Sequence, residues 1–349
     1  MNNVYLIILC GGFGERLWPI TRRDKPKPFV PFINDKSLIE QTLDRIKNLN
    51  LDKQNIGIVI NKDQKAHIES TIGDNIGFII EEKESRNTAP AVLLAALNIY
   101  KKDPNAVVVF LPADSFIVED DKYVAVLSIA IKYAQKNNKI LTVGVMPTKA
   151  STSYGYIQAK NLFEKTIQAN CVYEVEKFHE KPDIKIAESY LKNSLMLWNI
   201  SVFVSNVNFL INEFKIYAPT IYYQMLDYLA GKISYLDIES KSIDFAVIEK
   251  SKNIAVIPAD FTWCDVGNVD IFLDLQSKLS KENINIINIS ANNNLASLTN
   301  KNKIVAFVGV SDLCLVDTQD VLLIVKKNEV EKIKELLSVI KKSDYQKIL

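Results

Sequence analysis

The chain has 349 residues, a length that suits one large α/β domain with a smaller one. Hydrophobic residues make up 48% and charged residues 24%, ordinary values for a packed protein. A net charge of +1 gives no global field for nucleic acid or an anionic membrane, so an anionic substrate has to be held by local positive groups. The four cysteines, Cys10, Cys171, Cys264 and Cys314, form no CxxC pair and are too sparse for a disulfide scaffold or a zinc site. No apolar stretch reaches membrane-spanning length, and the run 4–10 is too short for a signal core. A cytoplasmic protein with reduced thiols is the expectation.

In chain order, VYLIILC (4–10) is continuously apolar and predicts a buried strand. SLIEQTLDRIKNL (37–49) has helical spacing, with Ser37 and Glu40 as a capping box. Strands are predicted over 56–61 and 76–82, with a helix over 63–73 between them. APAVLLAALNIYKK (89–102) predicts a helix with Pro90 near its start, where proline is tolerated. A strand over 106–112, a helix over 122–136 and a strand over 140–147 complete the series. Repeated β-α-β units of this kind predict a Rossmann-like, mostly parallel sheet with helices on both faces. Mixed α+β order follows residue 150. Short β-like pieces between Asn-rich turns follow residue 280, and a helix over 328–342 closes the chain. The expected domains are 1–280 and 281–349, and no tandem repeat of regular period is visible.

The most informative stretch is LCGGFGERLWPITRRDKPKPF (9–29), directly after the first strand, at the edge where open parallel sheets bind ligands. Gly11, Gly12 and Gly14 let backbone N–H groups approach a phosphate. Arg16, Arg22, Arg23, Lys25 and Lys27 follow, a density that points to a polyanionic ligand. A dinucleotide fingerprint fails because its third glycine position is Leu17, and no Walker A pattern is present. Pro19, Pro26 and Pro28 argue for an extended wrapping loop rather than an immediate long helix. A glycine turn carrying solvated charges remains the plain alternative.

This segment resembles the signature of sugar-1-phosphate nucleotidyltransferases. With Trp18 after Arg16-Leu17 and the ending Lys27-Pro28-Phe29, its form is closest to that of mannose-1-phosphate guanylyltransferases. The resemblance implies nucleotide contacts at Leu9, Gly11, Gly12 and Gly14, with Arg16 and Lys27 on the triphosphate. EEKESRNTAPA (81–91) resembles the second family motif, with Lys83 in place of a proline. It implies a guanine contact through Glu82, aided by Asn87. A carboxylate accepts from both guanine N1–H and the 2-amino group, a donor pair that adenine, uracil and cytosine lack. Asn87 or Thr88 capping the next helix is the alternative reading of the same residues.

Asp114 in FLPADSF and Asp265 in FTWCDVGN resemble the family aspartates that hold Mg²⁺, although either residue alone reads as a turn or cap. STSYGYIQ (151–158), VEKFHEKPD (175–183) and LWNISVF (197–203) resemble the sugar-phosphate motifs. They imply Gly155, Glu180 and Asn199 on the sugar and Lys181 on the 1-phosphate. Glu180 and Lys181 read locally as a solvated pair. KSIDFAVIEK (241–250) matches a further guanylyltransferase segment, with Phe245 where tyrosine is usual. Other departures are Ser115 for a histidine, Ser153 for a glycine, Ile200 and Ser201 for Ser-Gly, and Asn268 and Val269 for Ser-Trp.

The resemblance runs from about residue 4 to 340. It implies a nucleotidyltransferase fold followed by a short left-handed β-helix and a helix, a homodimer, and no fused isomerase domain. The implied reaction joins GTP and mannose 1-phosphate, with Mg²⁺ as cofactor and Arg16, Lys27 and Lys181 as catalytic cations. The attacking phosphate is already anionic, which suits a chain with only His67 and His179. The same chemistry on another sugar phosphate or nucleotide is a second reading. A non-catalytic sugar-nucleotide-binding subunit is a third.

Overall fold

The computed structural model describes residues 3–160, 171–279, 285–300 and 302–349. The chain packs as two units, Met1–Gly11 with Thr42–Cys264 and Gly12–Gln41 with Asp265–Leu349. The expected domain boundary at 280/281 lies outside the described residues.

The first unit is built on a sheet of nine strands among the described residues. Their order is Phe78–Glu82, Ile56–Asn61, Val4–Leu9, Val107–Pro112, Met196–Asn206, Ile140–Val145, Ile254–Ala259, Tyr173–Glu180, Gly155–Ala159. The first four pair in parallel, with Gly57 beside Phe78, Leu6 beside Ile56 and Val4 beside Val107. Ile140–Val145 and Ile254–Ala259 are parallel too. Met196–Asn206 and Tyr173–Glu180 run against their neighbours, so the later part of the sheet is mixed. Antiparallel pairing needs no crossover helix, in keeping with the change of pattern after residue 150.

Val4–Leu9, Val107–Pro112 and Ile140–Val145 are buried along most of their length, which explains their unbroken apolar sequence. Thr88–Lys102, Val207–Tyr217 and Pro219–Leu229 cover one face. Their Val92, Ala95, Ile99, Leu210, Phe214 and Met225 share a core with Ile7, Val108 and Phe110. Asp120–Ala134 packs on the other face through Leu127, Ala130 and Ile131. Helix starts follow their local cues. The Glu40 carboxylate accepts from Ser37 N at 2.8 Å, and Ser37 Oγ accepts from Glu40 N at 3.4 Å, before Leu38–Ile46.

In the second unit, Ile286–Ile289 pairs in parallel with Val305–Val308, and Leu295–Leu298 with Leu313–Asp317. Ile286 lies beside Val305 and Leu295 beside Cys314, the same offset of 19 residues in both pairs. That is a β-helix-like coil, closed by the antiparallel strand Leu322–Lys326. Ala296, Val305 and Phe307 fill its interior. The closing helix expected over 328–342 is divided. A 3₁₀ segment, Lys327–Lys332, precedes the α-helix Ile333–Ile340, whose Ile333, Leu337 and Ile340 are buried at helical spacing. Lys326 offers no side-chain acceptor at the start, and Lys327 N donates instead to Asp312 O at 2.9 Å.

One close approach fixes the outer strands of the first unit. A Cβ at Gly57 would stand 2.2 Å from Phe78 Cε2. The Phe78 ring meets Tyr5 edge-on at 6.5 Å and lies 4.3 Å from the Lys102 ammonium. Gly57→Ala is expected to cost about 1–3 kcal/mol of stability through overpacking. Urea unfolding checks this, and an unchanged midpoint would mean that the ring swings aside freely.

Candidate active site

The glycine-rich segment lies in the second unit from Gly12 onward. Gly12 and Gly14 have φ of +91° and +74°, the left-handed region that favours glycine. A Cβ at Gly12 would meet nothing within 4 Å, whereas one at Gly14 would stand 2.7 Å from Lys27 Cβ. The loop therefore folds back on itself, and the Lys27 stem passes over Gly14. Gly14 O accepts from Leu17 N at 2.8 Å and from Thr21 Oγ1 at 2.7 Å. The three prolines exclude a long helix, as expected, and two 3₁₀ turns, Glu15–Leu17 and Lys27–Phe29, shape the path.

The five cations of this segment fall into distinct settings. Lys27 is 7% exposed, and its Nζ lies 3.3 Å from Asp265 Oδ1. Arg16 pairs with Glu331 at 2.9 Å in a partly exposed contact. Arg22 grips both Asp320 oxygens, at 2.6 and 2.8 Å, and its hydrogen bonds hold that carboxyl down at about 2. Arg23 and Lys25 are exposed. Trp18 Nε1 donates to Ile348 O at 2.8 Å, a third tie to the C-terminal residues. Asp265 ends a short strand and turns through Gly267, whose N donates to Asp265 O at 2.8 Å.

In the first unit, Leu9 and Glu82 end strands, and Asp114 lies in the turn just after the strand Val107–Pro112. Ala113 N donates to Leu9 O at 3.0 Å, and the Asp114 charge helps burial to push the Cys10 thiol up. Ser115 accepts from Trp263 Nε1 at 3.2 Å, which gives this departure from the family pattern a local use. Glu82 is 4% exposed and accepts from the Tyr235 hydroxyl at 2.6 Å. Burial pushes the Glu82 carboxyl up to about 7, against the lowering effect of that hydrogen bond. Asn87 caps the helix Thr88–Lys102, its Oδ1 accepting from Thr88 N at 2.8 Å.

The sugar-motif residues gather within the same unit. Gly155 pairs with Glu180 across antiparallel strands, and a Cβ there would stand 2.5 Å from Glu180 Oε2. The missing side chain thus makes room for the carboxylate. Lys181, at φ +48°, places Nζ 3.0 Å from Glu180 Oε1. Asn199 is 5% exposed and its amide is oriented from both ends. Oδ1 accepts from Thr142 Oγ1 at 2.8 Å and from Ser201 N at 3.2 Å, while Nδ2 donates to Asp244 at 3.0 Å. Burial, then the Glu180 carboxylate, push Asp244 well above the usual carboxylate range. His179 packs on Tyr190 with ring centres 5.2 Å apart.

Tyr235 and Asp244 escaped the sequence reading. Asp244 lies inside the matched segment KSIDFAVIEK, which was a usable signal; Tyr235 lies in no quoted motif. Asp114 and Asp265 provide hard oxygen donors, and Mg²⁺ commonly takes one or two carboxylates with phosphate oxygens and water. Among the described residues no group of three or more His, Cys, Asp or Glu side chains is placed to hold a metal ion.

Residues 5–282 match the nucleotidyl transferase family, and residues 284–340 match the MannoseP isomerase/GMP-like beta-helix domain. A mannose-1-phosphate guanylyltransferase of Salmonella montevideo is 34% identical, over 96% of this chain and 73% of its own length. The chain belongs to the nucleotidyltransferase family, of the mannose-1-phosphate guanylyltransferase type. Mannose-1-phosphate guanylyltransferase RfbM of Salmonella typhimurium LT2 is 31% identical to this nucleotidyltransferase, over 97% of this chain and 72% of its own length. A solved structure from Thermus thermophilus, described as a mannose-1-phosphate geranyltransferase, matches with a TM-score of 0.82 and 28% identity. That match covers 97% of this nucleotidyltransferase and 99% of the Thermus chain. The expected fold, with its β-helix-like C-terminal part, is thereby established. No helix among the described residues is long and apolar enough to cross a membrane.

The buried Glu82 has a consequence for stability. Its carboxyl ordinarily titrates near 4.5 but in the folded chain at about 7. Between those values the folded chain holds a proton that the unfolded chain releases, so stability falls as pH rises across that window. The full effect is roughly 3 kcal/mol. Glu82→Gln is expected to flatten that slope and raise unfolding free energy at pH 8. Denaturant unfolding from pH 4.5 to 8 checks it, and a wild-type slope in the variant would contradict the raised titration.

Proposed function

We propose that the chain transfers GMP from GTP to α-D-mannose 1-phosphate, giving GDP-mannose and pyrophosphate. The observation that carries this reading is the loop folded through Gly14 onto the buried Lys27 and its half-buried partner Asp265, a fixed cation on a backbone open to phosphate. An oxygen of the sugar 1-phosphate attacks the α-phosphorus in line. The bond from that phosphorus to the β-phosphate oxygen breaks, and its electron pair leaves on pyrophosphate. The nucleophile is largely an oxyanion near neutral pH, so no general base is needed.

Catalysis then consists of positioning and charge compensation. Lys27 and Arg16 serve the triphosphate. Arg16 exchanges Glu331 for phosphate at little cost, because a solvent-accessible pair is worth only about 0–1 kcal/mol. Backbone groups of Leu9, Gly11, Gly12 and Gly14 line the nucleotide. Glu82 accepts from guanine N1–H and the 2-amino group. Asn87, its Oδ1 engaged at the cap, offers Nδ2 to guanine O6. Lys181 receives the 1-phosphate, while Glu180, Asn199 and the backbone at Gly155 take sugar hydroxyls. Asp114 and Asp265 are the carboxylates assigned to Mg²⁺, which when bound adds positive charge at the phosphate oxygens. The enzyme acts as a homodimer on this reading.

A pyrophosphate-release assay over several nucleoside triphosphates and sugar 1-phosphates tests the proposal. GTP with mannose 1-phosphate should be the preferred pair, chelation of divalent cations should stop turnover, and Asp265→Asn, which keeps an oxygen toward Lys27, should lower kcat at least about 100-fold in a folded chain. Preference for another pair would reassign the substrates. Tight GDP-sugar binding with no turnover on any pair would mark a regulatory subunit.

A further inference from the structure

We propose that Tyr235 is a positioning residue for base selection, its hydroxyl holding Glu82 in the orientation and ionised form that a guanine edge requires. This rests on Glu82 as the guanine contact.

Tyr235 opens the 3₁₀ turn Tyr235–Asp237, which Ser234 caps. Its side chain is 1% exposed and its hydroxyl donates to Glu82 Oε1 at 2.6 Å, across 153 residues of sequence. An ionised carboxylate has about four acceptor positions. Tyr235 occupies one on Oε1, leaving the second position there and both on Oε2 for two N–H groups of a base. A buried carboxylate without a fixed donor would turn and take up a proton. Burial and the Glu82 charge push the Tyr235 hydroxyl far up, so it stays protonated and serves as a permanent donor. The Tyr228 ring meets Tyr235 edge-on at 5.0 Å, and the Arg86 charge acts on Tyr235 while its Nε donates to Ile238 O at 2.7 Å. Asn61, uncharged, lies beside Glu82 in the sheet.

The charge of Glu82 decides which purine is accepted. Ionised, it pairs with guanine N1–H and repels the lone pair at adenine N1. Protonated, it donates to adenine N1 and loses a guanine contact. Tyr235 favours the first form.

Calorimetric titration of GTP and ATP into the full chain from pH 6 to 9 tests this with wild type, Tyr235→Phe and Glu82→Gln. In wild type the preference for GTP should rise with pH through a midpoint near 7 and level off toward the alkaline end of the range. In Tyr235→Phe that rise should move to higher pH and the plateau should fall roughly tenfold, the worth of a hydrogen bond to a charged group. ATP affinity at high pH should be unchanged. A wild-type profile in Tyr235→Phe overturns the proposal. A wild-type preference in Glu82→Gln removes the guanine assignment itself, a different result from the first. Should Tyr235→Phe not fold, NMR of the wild-type hydroxyl proton decides. It should exchange slowly and shift as Glu82 titrates; a shift independent of that titration overturns the proposal.

Discussion

A buried ammonium governs the glycine-rich loop. Lys27 is almost wholly removed from water, and a lone charge in that setting would cost several kcal/mol. The chain has to supply an opposite charge, and Asp265 supplies it at 3.3 Å. It also has to let the lysine stem cross the loop, which only a residue without Cβ allows at Gly14. Three neighbours hold the loop in that path. Thr21 ties down the Gly14 carbonyl, while Arg22 and Trp18 anchor the loop to Asp320 and Ile348. A cation fixed before substrate arrives needs no reorganisation when charge develops at phosphorus, which is where preorganised sites gain most of their effect.

The first unit holds two acids at a cost. Glu82 and Asp244 are acids whose surroundings favour the neutral form. Neither is a good choice for stability. Both are braced by neutral hydrogen-bond donors, Tyr235 for one and the Asn199 amide for the other. Acids with raised titration points inside a structure are common where ligands are read. Stability given up at such positions is recovered in the apolar core between the sheet and its helices, where Val92, Ile99, Phe110 and Phe214 are fully enclosed.

Much of the fold was legible from local chemistry. Unbroken apolar runs gave the central strands, the Ser37–Glu40 box gave a helix start, and the helix Thr88–Lys102 came within a residue of its expected limits. The antiparallel run of Met196–Asn206 was not legible, because direction is set by partners far away in sequence. Nor was the grouping of Gly12–Gln41 with the C-terminal residues, whose anchors lie 298 positions apart at Arg22 and Asp320. The offset of 19 residues in the β-helix-like coil left no visible repeat, since only apolar side chains of no fixed identity have to recur there, as Ala296, Val305 and Phe307 show. Site motifs named Lys27, Glu82 and Asn199. Their braces, Gly14 against the lysine stem, Tyr235 and Asp244, are contacts of the folded chain that no spacing rule encodes.

The role given to Lys27 is open to direct measurement. Methionine at this position keeps an unbranched stem over Gly14 and removes only the charge. Calorimetric titration of GTP into Lys27→Met, with thermal unfolding alongside, should show affinity lower by about 30- to 100-fold, the worth of a charge-assisted contact to phosphate, in a chain that melts near the wild-type temperature. GTP affinity within about twofold of wild type in that folded variant would contradict the assignment of Lys27 to the triphosphate.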